Sequence, residues 1–257
     1  MKEPTSHCGS AETQRRLLGE WYREAPGRFL RDQVRDAVEP LLRDLFGYHL
    51  IQLGTLDWNP SPLAVSRIMH RVVVDCCDPA HGFPVDLIAS FEHLPIDSDT
   101  VDGVFLLHTL DFCAAPHQLL REVERILIPE GRVVIVGFNP MSLWGVWHIL
   151  PGYRRQVPWC GAFIGGLRVK DWLQLLGFDV EATEHLMFRP PLRHHGLMNR
   201  LQFLEQAGRR WWHPLGGVYV INAVKRVSRL TPIKPRWRAQ RVMGVSGIEP
   251  TARAGRG

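Results

Sequence analysis

Residues 94–140 constrain the fold of this chain most strongly, because they have the pattern of a complete strand, helix and strand unit. The first strand, 102–107, contains four consecutive apolar residues, as expected of a strand that is covered on both faces. A proline at position 116 suits the first turn of a helix, where its missing N–H has no partner to lose. The turn 128–131 leads into a second apolar strand, 133–138. The stretch therefore predicts a parallel α/β sheet.

Further strands and helices are predicted on both sides of this unit. Buried strand patterns occur at 48–55, 71–76, 85–89, 179–187 and 218–224, and helical patterns occur at 61–69 and 169–176. The segment 141–163, rich in tryptophan, proline and glycine, is expected to be an irregular, partly helical insertion. Together with the central unit, these patterns predict a seven-stranded, doubly wound sheet in one domain, 48–227.

The N-terminal part of the chain predicts a helical arm over 13–47, preceded by a disordered segment, 1–12. Pro26 and Gly27 are expected to divide the arm into two helices, and Pro40 either interrupts the second helix or begins a new one. Two interpretations of Trp21 stay open. The residue is either an ordinary core residue, or part of an arm that lies over a ligand site.

Basic residues are concentrated at the C-terminal end of the chain. Nine of the 31 lysines and arginines, but only one of the 26 acids, lie from residue 225 onward. Residues 1–224 therefore contain 22 basic and 25 acidic side chains, a net charge of −3. The segment 228–257 is expected to be a flexible, solvated tail, with a weak and salt-sensitive contact to RNA or anionic lipid as the alternative.

The chain has no apolar run long enough to span a membrane, and no apolar segment follows the charges at its N-terminus. Its five cysteines are odd in number and scattered, which indicates neither a disulfide framework nor a zinc site. His194 and His195 are expected to be surface residues, so no metal is predicted. These features together predict a cytoplasmic protein; they leave its oligomeric state open.

A set of residues around the central unit matches a known pattern. The set surrounds a Leu-Pro motif, the end of the predicted fourth strand and the turn before the fifth: Glu92, Leu94, Pro95, Asp97, Asp102, His108, Leu110, Pro116, Leu120, Glu122, Arg125, Leu127, Pro129, Gly131 and Arg132. In these residues the chain resembles the methyltransferase type 11 group of the class I S-adenosylmethionine-dependent methyltransferases. The segment 137–145, GFNPMSLWG, is similar to that of a small bacterial subgroup. The resemblance implies a Rossmann-like, mostly parallel sheet with an antiparallel last strand.

The resemblance also implies S-adenosylmethionine as the cofactor, bound at the carboxyl ends of the strands. Gly54 stands at the position of the first glycine of the cofactor loop, and Gln52 replaces the usual acid before it. Leu56 and Trp58 occupy the next two glycine positions, where bulky side chains would fill space that the cofactor needs. Asp75 matches the acid that bonds the ribose hydroxyls, with an ordinary strand-end aspartate as the alternative.

The remaining predicted site residues follow the third, fourth and fifth strands. The resemblance places Ser90, Phe91 and Glu92 at the adenine and His108 in the cofactor shell. Catalytic roles are predicted for His108 and Asp111, in which the carboxylate orients an imidazole that acts as base or substrate ligand. Packing and helix capping are the alternative. Contacts to the acceptor are predicted for Trp21, Asn139 and Trp144, with a structural lid as the alternative for Trp144.

Three functions fit these patterns. The leading interpretation is a methyltransferase that acts on a small-molecule acceptor, which the match at Asp75 and the region of His108 favour. The second is a catalytically inactive binding or regulatory protein of the same fold, favoured by Leu56 and Trp58. The third, methylation of nucleic acid, has only the basic tail in its favour.

Overall fold

We describe the fold from a computed structural model. The described residues are 11–56, 58, 60–76, 85–149, 157–190, 205, 208, 210–227 and 255. The chain divides into two units, 1–227 and 228–257. The predicted basic tail lies outside the described residues except for Gly255, and most of the predicted disordered segment, 1–12, does so as well. No helix in the described part of the chain has the length and apolar character needed to cross a membrane.

Seven strands form one sheet in the order β3-β2-β1-β4-β5-β7-β6. The strands are β1 (His49–Leu53), β2 (His70–Asp75), β3 (Leu87–Ile88), β4 (Val101–Leu107), β5 (Leu127–Phe138), β6 (Phe178–Leu186) and β7 (Val218–Lys225). β7 runs antiparallel to both β5 and β6, while the pairs from β3 to β5 are parallel. The predicted seven-stranded, mostly parallel sheet with an antiparallel last strand is confirmed.

Six α-helices lie among the described residues: α1 (Ala11–Arg23), α2 (Ala25–Arg43), α3 (Thr109–Phe112), α4 (Pro116–Ile126), α5 (Leu143–Ile149) and α6 (Gly166–Leu175). Pro116 begins α4, as its missing N–H predicts. The break in the N-terminal arm is at Glu24, whose N–H donates to the carbonyl of Trp21. Pro26 lies in the first turn of α2, so the predicted break at Pro26 and Gly27 is wrong. Pro40 lies within α2, which is continuous, so the prediction that it interrupts this helix or begins a new one is also wrong.

Two further local predictions, the helix over 61–69 and the turn over 128–131, are wrong because the backbone adopts another conformation there. The helix predicted over 61–69 is a short 3-10 helix, Pro62–Val65, after which Ser66 returns to the extended conformation. Ser61 caps it by accepting a hydrogen bond from the Leu63 N–H. The turn predicted over 128–131 is a bulge within β5, where the pairing with β4 shifts register and Glu130 has a positive φ of 67°.

The apolar residues of the sheet form two cores, because successive side chains of a strand point to opposite faces. Phe105 and Val134 belong to the core that contains residues of α1 and α2, whereas Val104 and Val133 belong to the core that contains residues of α4 and α6. Residues of the N-terminal arm therefore pack against one face of the sheet. A methyl group at Gly27 would lie 2.6 Å from Cα of Tyr22, so this glycine lets α1 and α2 pack closely.

Two residues of the matched pattern hold the loop before β4. Glu122 accepts a hydrogen bond from the N–H of Leu94 (3.0 Å), and Arg125 donates to the carbonyls of Leu94 (3.0 Å) and Ile96 (2.8 Å). Arg125 also forms an ion pair with Glu122 at 2.9 Å and lowers the pKa of that carboxyl. These two positions of the pattern therefore act on the fold and do not reach the candidate site.

One cysteine departs from the expected free thiols. Cys160 is disulfide-bonded, whereas Cys76 and Cys113 carry thiols outside any disulfide.

Candidate functional site

The candidate site lies where the carboxyl ends of β1, β2 and β4 meet. Gly54 follows β1, Asp75 ends β2 and His108 follows β4. β1 lies between the other two strands, and the chain order of the sheet reverses beside it. Such a reversal opens a crevice at the carboxyl ends, which is the usual ligand position in an open α/β sheet.

Gly54 makes the turn out of β1 in a conformation that favours glycine. Its φ is +83°, and its N–H donates to the carbonyl of Val74 at 2.8 Å. A methyl group at this position would lie 2.8 Å from Oγ1 of Thr109 and 3.4 Å from the guanidinium of Arg15. Gln52 is buried and donates from Nε2 to the carbonyl of Gly54 at 2.9 Å, so it holds the turn. The turn is therefore closely surrounded by other parts of the chain.

Asp75 is buried, and its carboxylate accepts three hydrogen bonds from the protein. The N–H of Thr55 donates to Oδ2 (2.8 Å) and the N–H of Cys76 donates to Oδ1 (2.7 Å). The third donor is Nη1 of Arg15, which forms a buried ion pair with Oδ1. Arg15 belongs to α1, so the helical arm reaches over the sheet edge and forms an ion pair with this carboxylate.

The predicted adenine side lies next to the same arginine. Phe91 is buried, and the guanidinium of Arg15 lies 4.7 Å above the centre of its ring. Ser90 is exposed, and its Oγ accepts a hydrogen bond from the N–H of Glu92 at 3.3 Å. Phe91 thus faces the candidate site, whereas the hydroxyl of Ser90 is used within its own turn.

His108 and Asp111 form a fully buried pair that α1 also covers. His108 adopts a left-handed conformation with a φ of 53°, and its Nδ1 lies 3.1 Å from Oδ2 of Asp111. Its Nε2 lies 2.6 Å from the hydroxyl of Tyr22, and its ring stacks on Phe138 with centroids 4.1 Å apart. A neutral imidazole that donates from Nδ1 to a carboxylate accepts at Nε2, so the Tyr22 O–H is the donor there.

Burial shifts the pKa values of two residues in this cluster, Asp111 and Tyr22. Burial raises the pKa of Asp111, and the hydrogen bond from His108 partly opposes that effect. Burial, with the nearby charge of Asp111, raises the pKa of Tyr22 well above its usual value. Tyr22 therefore stays protonated and remains the donor to His108.

Leu56 and Trp58 are buried in the core that contains residues of α1. Trp58 packs edge-to-face against Tyr22, with ring centroids 5.0 Å apart. Leu18 of α1 is buried in the same core. The two large residues that stand at glycine positions of the resembled loop therefore pack against the inner face of the N-terminal helix.

The structure places the three predicted acceptor contacts in different surroundings. Trp21 is partly buried, and its ring lies edge-to-face against Trp144 at 5.7 Å. Trp144 is fully buried, and its Nε1 donates to the carbonyl of Arg189 at 2.8 Å. Asn139 is buried and donates from Nδ2 to the carbonyls of Pro214 and Gly216, both at 2.8 Å. Trp21 is therefore the one of the three that keeps an accessible surface.

Arg15 is the residue that the sequence patterns did not single out. It lies three residues before Leu18 and seven before Tyr22, so all three share one face of α1. A charged residue on the buried face of an amphipathic helix was the available signal, because such a charge needs a buried partner. Asp75 is that partner.

The S-adenosylmethionine implied by the resemblance does not fit this arrangement. The carboxylate that would accept from the ribose hydroxyls already accepts from Arg15, Thr55 and Cys76. The approach to Gly54 is filled by Thr109 and Arg15. Asp75 and Gly54 thus lie where the resemblance predicts them, but Arg15 of α1 occupies the space next to both residues.

Part of the chain matches a known family. Residues 52–135 match the family described as a methyltransferase domain. Over 172 residues the chain is 36% identical to the uncharacterized protein YafS of Escherichia coli strain K12. The matched region covers 66% of this chain and 69% of YafS. Over 150 residues it is 26% identical to the biotin biosynthesis bifunctional protein BioHC of Cellvibrio japonicus, covering 55% of this chain and 28% of BioHC.

A solved structure shares the fold. An S-adenosylmethionine-dependent methyltransferase from Archaeoglobus fulgidus superimposes on 81% of this chain and 98% of its own, with a TM-score of 0.53 and 19% sequence identity. At this level of identity the likeness shows the fold alone.

Proposed function

The chain belongs to the methyltransferase type 11 group of the class I S-adenosylmethionine-dependent methyltransferases, and we propose that it methylates a small-molecule acceptor in the cytoplasm. The observation that carries the proposal is the position of Asp75. Its carboxylate is buried at the end of β2, beside the positive-φ glycine that ends the turn from β1. A buried acid with that placement is suited to two ribose hydroxyls.

A consequence of the closed site is that α1 must move for the cofactor to bind. Arg15 and Tyr22 are two helical turns apart on one face of α1, and they hold Asp75 and His108 respectively. Withdrawal of one helix would therefore release both the predicted ribose acid and the predicted catalytic pair. Because both contacts come from the same helix, we expect Asp75 and His108 to become accessible together.

His108 and Asp111 are the proposed catalytic residues, since Asp111 accepts from Nδ1 and so leaves Nε2 as the basic atom. In the open state the acceptor would take the place of the Tyr22 hydroxyl at Nε2. Trp21, which is partly exposed beside this position, is the proposed contact to the acceptor. Gln52, Ser90, Phe91 and Glu92 remain proposed contacts to the cofactor.

Ligand binding to Asp75 variants tests the proposal. Because Asp75→Asn alone would leave the buried Arg15 without its anion, the comparison is made between R15A and the double variant R15A/D75N. We expect R15A to bind S-adenosylmethionine and its demethylated product in calorimetric titrations. R15A/D75N should bind at least about tenfold more weakly, because charge-assisted hydrogen bonds to the ribose are lost.

A matched control and a clear counter-result accompany this test. Asp36→Asn, at an exposed carboxylate on α2, should leave the affinity unchanged in the same background. Equal affinities of R15A and R15A/D75N would show that Asp75 is not the ribose acid. No binding by either the wild-type protein or R15A at millimolar ligand would overturn the enzyme proposal.

A second candidate, a catalytically inactive binding or regulatory protein, has one observation in its favour. Leu56 and Trp58 are buried against α1 and fill the region of the glycine loop. If this candidate is correct, α1 is a permanent part of the core, and removal of Arg15 creates no binding of cofactor. The R15A titration therefore separates the two candidates.

A further inference from the structure

Two exposed histidines lie side by side at the amino end of the parallel strands. His49 begins β1 and His70 begins β2, and the two residues are direct partners in the register of these strands. Their Nδ1 atoms are 2.8 Å apart, and their rings are nearly perpendicular, with centroids 4.9 Å apart. The candidate site is at the other end of β1, about 16 Å away at the rise of a strand. The pair therefore has no part in that site.

The backbone at both histidines is held by hydrogen bonds that leave the imidazole nitrogens unused. Oδ2 of Asp102 accepts from the N–H groups of Tyr48 and His49, both at 2.8 Å. His70 is held beside His49 by the pairing of β2 with β1. Two ligands on paired strands are positioned before a metal arrives, which reduces the entropy that is lost on binding.

Two neighbouring charged residues favour a cation at this pair. Asp102 brings a carboxylate against the backbone where β1 begins. The guanidinium of Arg71 is turned towards the carbonyls of Leu63 at 3.1 Å and Ala64 at 3.4 Å. A negative charge beside the pair, together with a positive charge that is bound elsewhere, lowers the electrostatic cost of placing a cation there.

The separation of the two nitrogens indicates the geometry of the metal. Two nitrogens bound at about 2.0 Å and at a right angle to each other are about 2.8 Å apart, whereas a tetrahedral angle separates them by about 3.3 Å. The observed 2.8 Å matches adjacent positions of a square-planar ion. Copper(II) and nickel(II) favour that geometry, while zinc(II) favours the tetrahedral one.

We propose that Nδ1 of His49 and Nδ1 of His70 chelate a divalent transition metal of square-planar preference, copper(II) most strongly. Both nitrogens must be unprotonated to bind the ion, so each imidazole keeps its proton on Nε2 in the complex. In the part of the chain that the structure describes, no group of three or more histidine, cysteine, aspartate or glutamate side chains is placed to hold a metal. Water therefore fills the remaining positions, and the ion links β1 to β2.

Calorimetric titration of the full chain with the chlorides of copper(II), nickel(II) and zinc(II) tests the site. The wild-type protein should bind copper(II) more tightly than nickel(II), and nickel(II) more tightly than zinc(II). H49Q and H70Q should each bind copper(II) and nickel(II) about a hundredfold more weakly, because the second ligand no longer acts within the same molecule. The electron paramagnetic resonance spectrum of the wild-type copper(II) complex should show coupling to two nitrogens.

The matched control is His93→Gln, which changes an exposed histidine before β4 and should leave the affinities unchanged. Because His49 and His70 are exposed, the melting temperatures of H49Q and H70Q without metal should equal that of the wild type. Affinities of these two variants equal to that of the wild type would overturn the proposal and assign the metal to other side chains. Tighter binding of zinc(II) than of nickel(II) would overturn the square-planar assignment. The test measures no methyl transfer and is independent of the proposed function.

Discussion

Nη1 of Arg15 donates to Oδ1 of Asp75 across a sequence separation of 60 residues, and both side chains are buried. The pair joins the N-terminal helix to the end of β2. The guanidinium of Arg15 therefore competes with any ligand that would donate hydrogen bonds to the same carboxylate. An oxygen atom that already accepts from Arg15 has less capacity to accept from a ligand. The energy of this contact opposes opening of the site.

Removal of the Arg15 side chain should increase the affinity for S-adenosylmethionine. Without the ion pair, the open state costs less free energy, and the apparent affinity rises with the open fraction. We expect R15A to bind about tenfold more tightly than the wild-type protein in calorimetric titrations. Arg16→Ala, at the exposed neighbouring arginine, should have no effect. A weaker affinity of R15A would contradict competition and indicate that Arg15 contacts the cofactor.

Hydrogen exchange should report the movement of α1 directly. If α1 withdraws on binding, saturation with the demethylated cofactor should speed exchange of the amides of residues 15–23 while it protects those near Asp75. A ligand that enters without opening would instead protect both regions. Exchange of α6, which lies on the opposite face of the sheet, serves as the internal reference.

Substitution of Gly54 should test how tightly the turn is enclosed. Gly54 and Gly177 have nearly equal positive φ values, +83° and +84°. Alanine at Gly177 has only the carbonyl of Arg226 nearby at 3.7 Å, so we expect a loss of about 1–2 kcal/mol from backbone strain alone. Alanine at Gly54 adds the contact with Thr109 and should lower the free energy of unfolding further in urea titrations. Equal losses would contradict the close packing at the turn.

A pH-dependent contribution to stability is expected from His185 on β6. Burial, assisted by His213 and Lys170, lowers the pKa of His185 to about 4 from 6.5. Between these two values the unfolded chain binds a proton that the folded chain does not, so stability falls as the pH drops from 6.5 to 4. His185→Gln should flatten the melting temperature across this window.

The control for this measurement is His117→Gln, which changes an exposed histidine of α4 and should preserve the slope. An unchanged slope in the His185 variant would show that other groups cause the acid sensitivity.

Local sequence patterns determined the sheet, because its signals are carried by neighbouring residues. The apolar run before His108 and the proline at the start of α4 predicted a buried strand and a helix, and both are present. Asp75, Gly54 and His108 were proposed as site residues mainly through the family resemblance, and they lie at the carboxyl ends of β2, β1 and β4. The family resemblance supplied the expected cofactor.

The tertiary structure decided how that edge is closed. Arg15 and Tyr22 contact Asp75 and His108 only because α1 folds back over the sheet, and no periodicity in the sequence specifies which strand ends a helix will cover. Pro40 within α2 likewise shows that packing of an apolar helix face can outweigh a local preference. The sequence by itself determined the strands of the sheet and the residue types at their ends, whereas contacts between residues far apart in the chain determined which groups face each other.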